Sequence, residues 1–185
     1  MGGIVEITQG KKTLYITDCG SAQVQEVRDV AAVVGDSYFA TDIDEDLDIV
    51  ESIEYLLRAP VNTDVVKHVH YAFGVNATSA CKVEIRKTPV YSASGAAVTL
   101  MNRNGNFADG GNSKIFKTPT LTGGVGSGTA VASFLVGTSN IAELGGSLAP
   151  NSIVPEIAEE YLLRITPYSD DTKVGVVFET YECLI

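Results

Sequence analysis

Cys81-Lys82-Val83-Glu84-Ile85-Arg86-Lys87 (CKVEIRK) alternates without a break. Cys81, Val83 and Ile85 fall on one side of an extended chain, and Lys82, Glu84 and Arg86 on the other. A period of two belongs to a β-strand with one buried face and one wet face. Residues 173–182 (KVGVVFETYE) repeat the pattern: Val174, Val176, Phe178, Thr180 and Glu182 share one face, and Val177, Glu179 and Tyr181 the other. Both faces carry apolar groups at one end, so this strand needs cover on both sides, as a sandwich provides.

Working outward, further strands are expected at 50–59, 65–75, 96–101, 114–121, 130–136, 140–144 and 159–166. Residues 159–166 and 173–182 read as a final hairpin with Tyr168-Ser169-Asp170-Asp171-Thr172 as its loop. Between strands lie turn formers, densest in 102–113 (NRNGNFADGGNS). Asn and Gly there supply positive φ and side-chain turn bonds. About eight short strands with turns between them predict an all-β fold. The specific expectation is an antiparallel β-sandwich, preferably a jelly roll, with an N-terminal arm. Strands do not alternate with long helices, which disfavours a doubly wound α/β fold.

The boundary falls near residue 35. Residues 36–185 form the sandwich domain, and residues 1–35 an arm or extension. Within the arm, 12–17 (KTLYIT) suits a short strand. Residues 21–34 place Val24, Val27, Val30, Ala31 and Val34 at helical spacing, with Ser21 as a candidate N-cap and Gly35 after the last turn. The same valines favour extended chain. Both readings stand, and an arm packed on a neighbouring subunit suits either.

One pentapeptide occurs twice: Glu54-Tyr55-Leu56-Leu57-Arg58 and Glu160-Tyr161-Leu162-Leu163-Arg164. The two copies are either strands at equivalent positions in the two sheets or a coincidence of a β-rich chain.

Composition excludes several functions. Of 185 residues, 45% are apolar and only 19% charged, with 18 glycines, a balance that suits a turn-rich β protein. The formal net charge is −10, and the two basic pairs, Lys11-Lys12 and Arg86-Lys87, make no patch. Nucleic acid is therefore not an expected partner. No apolar run is long enough to cross a membrane as a helix, and residues 1–12 have no secretion-signal pattern. Cys19, Cys81 and Cys183 are widely spaced and fit free thiols better than a zinc or dithiol site. Asn76-Ala77-Thr78 matches a glycosylation tripeptide by pattern only.

Three stretches carry residues with candidate chemistry. Asp42, Asp44, Asp46 and Asp48 alternate, and on an extended strand their carboxylates point to one side, as a solvated acidic face, a cation site or a contact for basic groups. An EF-hand loop counted from Asp42 fails, with Leu47 and Ile53 at its sixth and twelfth positions. His68 and His70 share a strand face but need a third ligand to hold a metal. Gly123 to Thr129 (GGVGSGT) lacks the Gly-Lys-Ser/Thr ending of a phosphate loop and the third glycine of a dinucleotide fingerprint, so it reads as a flexible tip or hairpin connection. No spacing ties Ser, His and Asp into a triad. No catalytic, cofactor-binding or metal-binding residue is assigned, and no enzyme activity is expected.

The C-terminal stretch carries a resemblance. Pro150-Asn151-Ser152, then Glu160-Tyr161-Leu162-Leu163-Arg164-Ile165-Thr166, then 174–182 (VGVVFETYE), resembles the ending of small structural proteins of tailed bacteriophages. Glu54 to Pro60, the strand holding His68 and His70, and Met101-Asn102-Arg103-Asn104 fit the same pattern. The likeness covers about residues 40–185. It implies a capsid auxiliary protein of the decoration or cement type, made in the host cytoplasm and carried on the outer capsid surface of the virion. It further implies a sandwich or jelly roll that forms a homotrimer, binds the major capsid protein and braces the shell. The alternatives are a tail, fibre or head–tail component, a carbohydrate- or receptor-binding module, or a hydrolase on a β scaffold.

Overall fold

A computed structural model describes residues 37–61, 66–108, 110–123, 127–137, 152–153, 155 and 158–184, and the strands at 5–9, 12–16 and 22–23. Strands β1 (Val5–Gln9), β2 (Lys12–Ile16) and β3 (Ala22–Gln23) form a small antiparallel sheet. The expected strand at 12–17 is β2. Of the ambiguous segment 21–34, Ala22–Gln23 is extended, and residues 24–34 lie outside the described residues.

The sandwich begins with β4 (Ser37–Leu47), β5 (Ile53–Arg58), β6 (Val66–Ala77) and β7 (Cys81–Lys87). Five shorter strands follow: β8 (Tyr91–Ala93), β9 (Ala96–Ala97), β10 (Met101–Asn102), β11 (Lys114–Lys117) and β12 (Thr120–Leu121). The chain closes with β13 (Thr129–Val136), β14 (Ser152–Ile153), β15 (Glu160–Pro167) and β16 (Thr172–Leu184). One sheet has the order β10-β4-β16-β6-β14, the other β13-β7-β15-β5-β11-β9, and β12 pairs with β8 separately. All ladders are antiparallel. The pairing is nested: β4 lies beside β16, β5 beside β15, β6 beside β14 and β7 beside β13.

The alternation seen in sequence sets the core. Val174, Val176 and Phe178 of β16 and Val69, Tyr71 and Phe73 of β6 are buried from one sheet. Ile53, Tyr55 and Leu57 of β5, Val83 and Ile85 of β7, and Leu163 and Ile165 of β15 meet them from the other. Tyr55 and Phe178 touch edge-on across the gap, with ring centroids 4.9 Å apart. The protein is an all-β sandwich.

Three expectations change. Residues 159–166 and 173–182 are not a hairpin: β15 and β16 belong to opposite sheets, and Tyr168–Asp171 arches between them. Each strand has a deeply buried face, and the two stack through those faces instead of pairing by their edges. The strand expected at 96–101 is split, because β9 pairs with β11 in one sheet and β10 with β4 in the other, and Leu100 is buried where the chain crosses. The strand expected at 114–121 breaks at Thr118, whose φ is +52°, and Pro119, giving β11 and β12. The strand expected at 140–144 lies outside the described residues.

The repeated pentapeptide has a different meaning from either expected one. Its two copies are β5 and β15, side by side in one sheet, antiparallel, with Leu56 opposite Leu162. Because the strands run in opposite directions, each Glu meets the other copy's Arg. Arg58 Nε donates to Glu160 Oε1 at 2.6 Å, and Arg164 Nε to Glu54 Oε1 at 3.1 Å.

A second repeat flanks the first. Ile85-Arg86-Lys87-Thr88-Pro89 and Ile115-Phe116-Lys117-Thr118-Pro119 end β7 and β11. Lys87 lies opposite Tyr161 and Lys117 opposite Tyr55. Thr88 N donates to Glu160 O and Thr118 N to Glu54 O, and both threonines have φ near +53°. Each copy then reaches Ser-Gly-x-Ala-Val, at Ser94–Val98 and Ser127–Val131, which opens β9 and β13. The six-stranded sheet thus has a pseudo-twofold relation about the Leu56–Leu162 pair, exchanging β5 with β15, β7 with β11 and β9 with β13.

Candidate functional site

The acidic run ends β4, and a register slip divides it. Val174 lies opposite Asp44 but Thr172 opposite Leu47, so β4 carries one extra residue there. Such a bulge reverses which side chains face inward. Asp42 and Asp44 are half-buried, Asp46 is exposed, and Leu47 enters the core. The four carboxylates therefore do not share one side.

Asp42 turns toward the other sheet. It accepts a hydrogen bond from Tyr55 Oη at 2.6 Å and pairs with Lys117 Nζ at 2.7 Å. Burial pushes the Tyr55 phenol far above its ordinary pKa, and the neighbouring Asp42 carboxylate adds to the shift.

Asp46 and Asp48 meet Asp171 of the β15–β16 loop, and one carboxylate oxygen from each lies within 4.8 Å of the others. Ile49 N donates to Asp170 Oδ1 at 3.0 Å, tying the two loops together. The charge of Asp48, then that of Asp171, raises the Asp46 carboxyl above its ordinary pKa. These three carboxylates are hard oxygen donors of the kind that suit a divalent cation. Their exposure also lets water and salt screen them.

At the opposite end of the β4–β16 ladder, Glu182 is 3% exposed. Its Oε1 accepts from Ser113 N at 2.6 Å and Ser113 Oγ at 2.8 Å, and its Oε2 accepts from Asn112 Nδ2 at 2.8 Å. A buried carboxylate is tolerated when donors surround it. Glu182 thereby clips the Asn/Gly-rich loop to the sandwich. Within that loop, Asn102 Oδ1 and Asn104 Oδ1 accept from the backbone nitrogens two residues ahead. A Cβ on Gly111 would lie 2.6 Å from the Tyr38 ring and 2.7 Å from Glu182 Oε1, so any larger residue must displace one of these buried side chains.

On the sheet face turned from the core, Arg58 donates to Glu160, to Tyr91 Oη at 2.7 Å and to Ser94 Oγ at 2.8 Å, and stacks over Phe116. Tyr91 Oη in turn donates to Glu160 at 2.6 Å. The Gly-rich stretch 123–129 joins β12 to β13, with residues 124–126 outside the described residues. Ser127 Oγ takes the Val90 N–H at 2.6 Å, and Arg86 donates to the carbonyls of Ser127 and Gly128, both at 2.8 Å. These bonds fasten the end of a connection that the sequence led one to expect as a flexible tip or hairpin, and β12 and β13 pair with β8 and β7, not with each other.

His70 stacks on Tyr181, its neighbour across the ladder, at 4.3 Å. The side chains of His68 and Cys183, and residue Cys19, lie outside the described residues. Cys81 is buried, which raises its thiol pKa.

The sequence reading singled out the acidic run but not its partner Asp171, which the arch brings from 123 residues downstream of Asp48. It also missed Glu182 as the loop's anchor and the Ile-x-Lys-Thr-Pro repeat. A self-comparison of the sequence beyond the one pentapeptide would have found the latter. No protein family, curated protein or solved structure matches the chain.

Proposed function

We propose that this chain is a non-enzymatic structural component of a virion, of the kind that decorates the outer surface of a tailed-bacteriophage capsid and cements it. The observation that carries the reading is the nested pairing of β4–β16, β5–β15, β6–β14 and β7–β13. A jelly roll is an eight-stranded antiparallel ribbon rolled so that the first strand lies beside the eighth, the second beside the seventh, and inward. The order of these strands supports that version of the sandwich, an architecture used by viral capsid and lectin domains. The resemblance of the C-terminal strands to phage structural proteins favours the capsid use over the lectin use.

The polar side chains support the same reading, because they fasten the scaffold to itself. Arg58, Arg86, Ser127 and Glu182 each hold a strand or loop in place. A shell-bracing protein needs this stiffness and no nucleophile. Its partner is the major capsid protein, and its place is the outer shell, reached after synthesis in the host cytoplasm. The test is co-sedimentation of the purified chain with phage heads that lack it. Saturable binding that raises the temperature of DNA release supports the proposal. Absence of binding to expanded heads overturns it.

A further inference from the structure

Sheet edges are templates for pairing with other chains, and proteins blunt them with short strands, charges or cover. Three of the four edges of the two large sheets end in the two-residue strands β9, β10 and β14. The fourth ends in β13, eight residues long (TAVASFLV), with no charge and no proline; a bulge between Ala130 and Ala132 interrupts its start, and Ala132 to Val136 run in regular register on β7. β7 pairs with one side of it, and among the described residues no strand pairs with the other. Val131 is 52% exposed and Leu135 57%.

The pseudo-twofold makes this edge more telling. β9 is the counterpart of β13, and both open from Ser-Gly-x-Ala-Val. After Val98 the first copy leaves the sheet and buries Leu100. After Val131 the second copy runs on along β7 to Val136. One repeat closes its edge and the other keeps an edge able to pair.

We infer that β13 pairs antiparallel with β13 of a second copy of this chain, across a twofold axis, joining two six-stranded sheets into one. A second copy is the occupant for two reasons. With a net charge of −10, copies repel through most of their surface, whereas β13 sets no charge against itself. Beyond the two residues that β10 pairs with, the open edge of β4 carries Asp42, Asp44, Glu45 and Asp46, whereas β13 is, among the described residues, a long edge strand without charge, so a copy meets it best with its own β13 and the contact is isologous. It gives dimers or larger even-numbered assemblies, never an isolated trimer. This inference does not depend on the virion reading, and it departs from the homotrimer that the phage resemblance implies.

The experiment is sedimentation velocity of the full chain over a concentration series, beside the double variant Val131→Lys/Leu135→Lys, with melting temperatures for both. The expected result is a wild-type dimer, or a higher even-numbered species, and self-association weakened at least about tenfold in the variant, since like charges would face each other, with equal melting temperatures at dilutions where both are monomeric. Amide exchange along β13 of the wild type, which needs no variant, should slow as concentration rises. A wild type that stays monomeric, an isolated trimer, a variant that associates like the wild type, or β13 exchange independent of concentration overturns the inference.

Discussion

Arg58 and Glu160, more than a hundred residues apart in sequence, face each other at 2.6 Å because two copies of one pentapeptide lie antiparallel. The same geometry pairs Arg164 with Glu54, but the two pairs differ in setting. The Arg164 side chain is 2% exposed and that of Arg58 29%. Removing one partner of a buried pair strands a charge and costs about 3–5 kcal/mol, whereas a half-exposed pair contributes about 1 kcal/mol or less. Glu54→Ala is therefore expected to destabilise by about 3 kcal/mol, and Glu160→Ala by much less. Denaturant unfolding of both variants checks this, and equal losses would contradict it.

The Glu182 clip makes a second prediction. Glu182→Ala leaves Ser113 N buried without its partner and takes from Ser113 Oγ one of its two, Tyr71 remaining, which costs about 1–3 kcal/mol. Gly111→Ala forces a methyl group against Tyr38 and Glu182 and is expected to cost about 1–3 kcal/mol. Both variants should speed amide exchange in 103–113 before the strands loosen. Unchanged exchange in that loop would remove Glu182 from its anchoring role.

The architecture was legible because its strongest signals were local. Cys81–Lys87 and 173–182 alternate cleanly, and their burial follows that alternation residue by residue. Relations between strands were not legible. Nothing in residues 159–182 says whether two strands with buried faces will pair by their edges or stack across the core. The acidic run misled for a different reason: a one-residue bulge opposite Thr172–Val174 reverses the inward set, and a pattern of period two carries no sign of it. The meaning of the repeated pentapeptide lay in its charges, since Glu at one end and Arg at the other suit antiparallel self-pairing.

Alkaline pH tests the buried phenols. Burial raises the pKa of Tyr55 and Tyr71, with the carboxylates Asp42 and Glu182 respectively adding to the shift. A raised folded pKa means that the folded protein keeps a proton the unfolded chain loses. Stability is then unaffected below about pH 10, the ordinary phenol value, and falls above it by about 1.4 kcal/mol per pH unit for each such group. Tyr55→Phe should make the fall shallower. Unfolding measured between pH 9 and 11.5 (roughly the accessible range) checks the slope, and a slope unchanged by Tyr55→Phe would contradict it.

The exposed acids respond in the same sense, in the carboxylate range of pH. Asp46 has its pKa raised by Asp48 and Asp171, so its contribution to stability is fully present below its ordinary value of 3.8 and is lost as pH rises through the raised one. At neutral pH the trio is a source of repulsion. Asp46→Asn should raise the melting temperature at pH 7 in low salt, and the gain should shrink in high salt and in acid. A gain that ignores salt would mean that repulsion is not its cause.

The proposed place on the capsid shell is tested by cryo-electron microscopy of phage heads incubated with the purified chain. The expected result is repeated sandwich-shaped density on the outer icosahedral surface, set against the major capsid protein. A shell without this chain would contradict it.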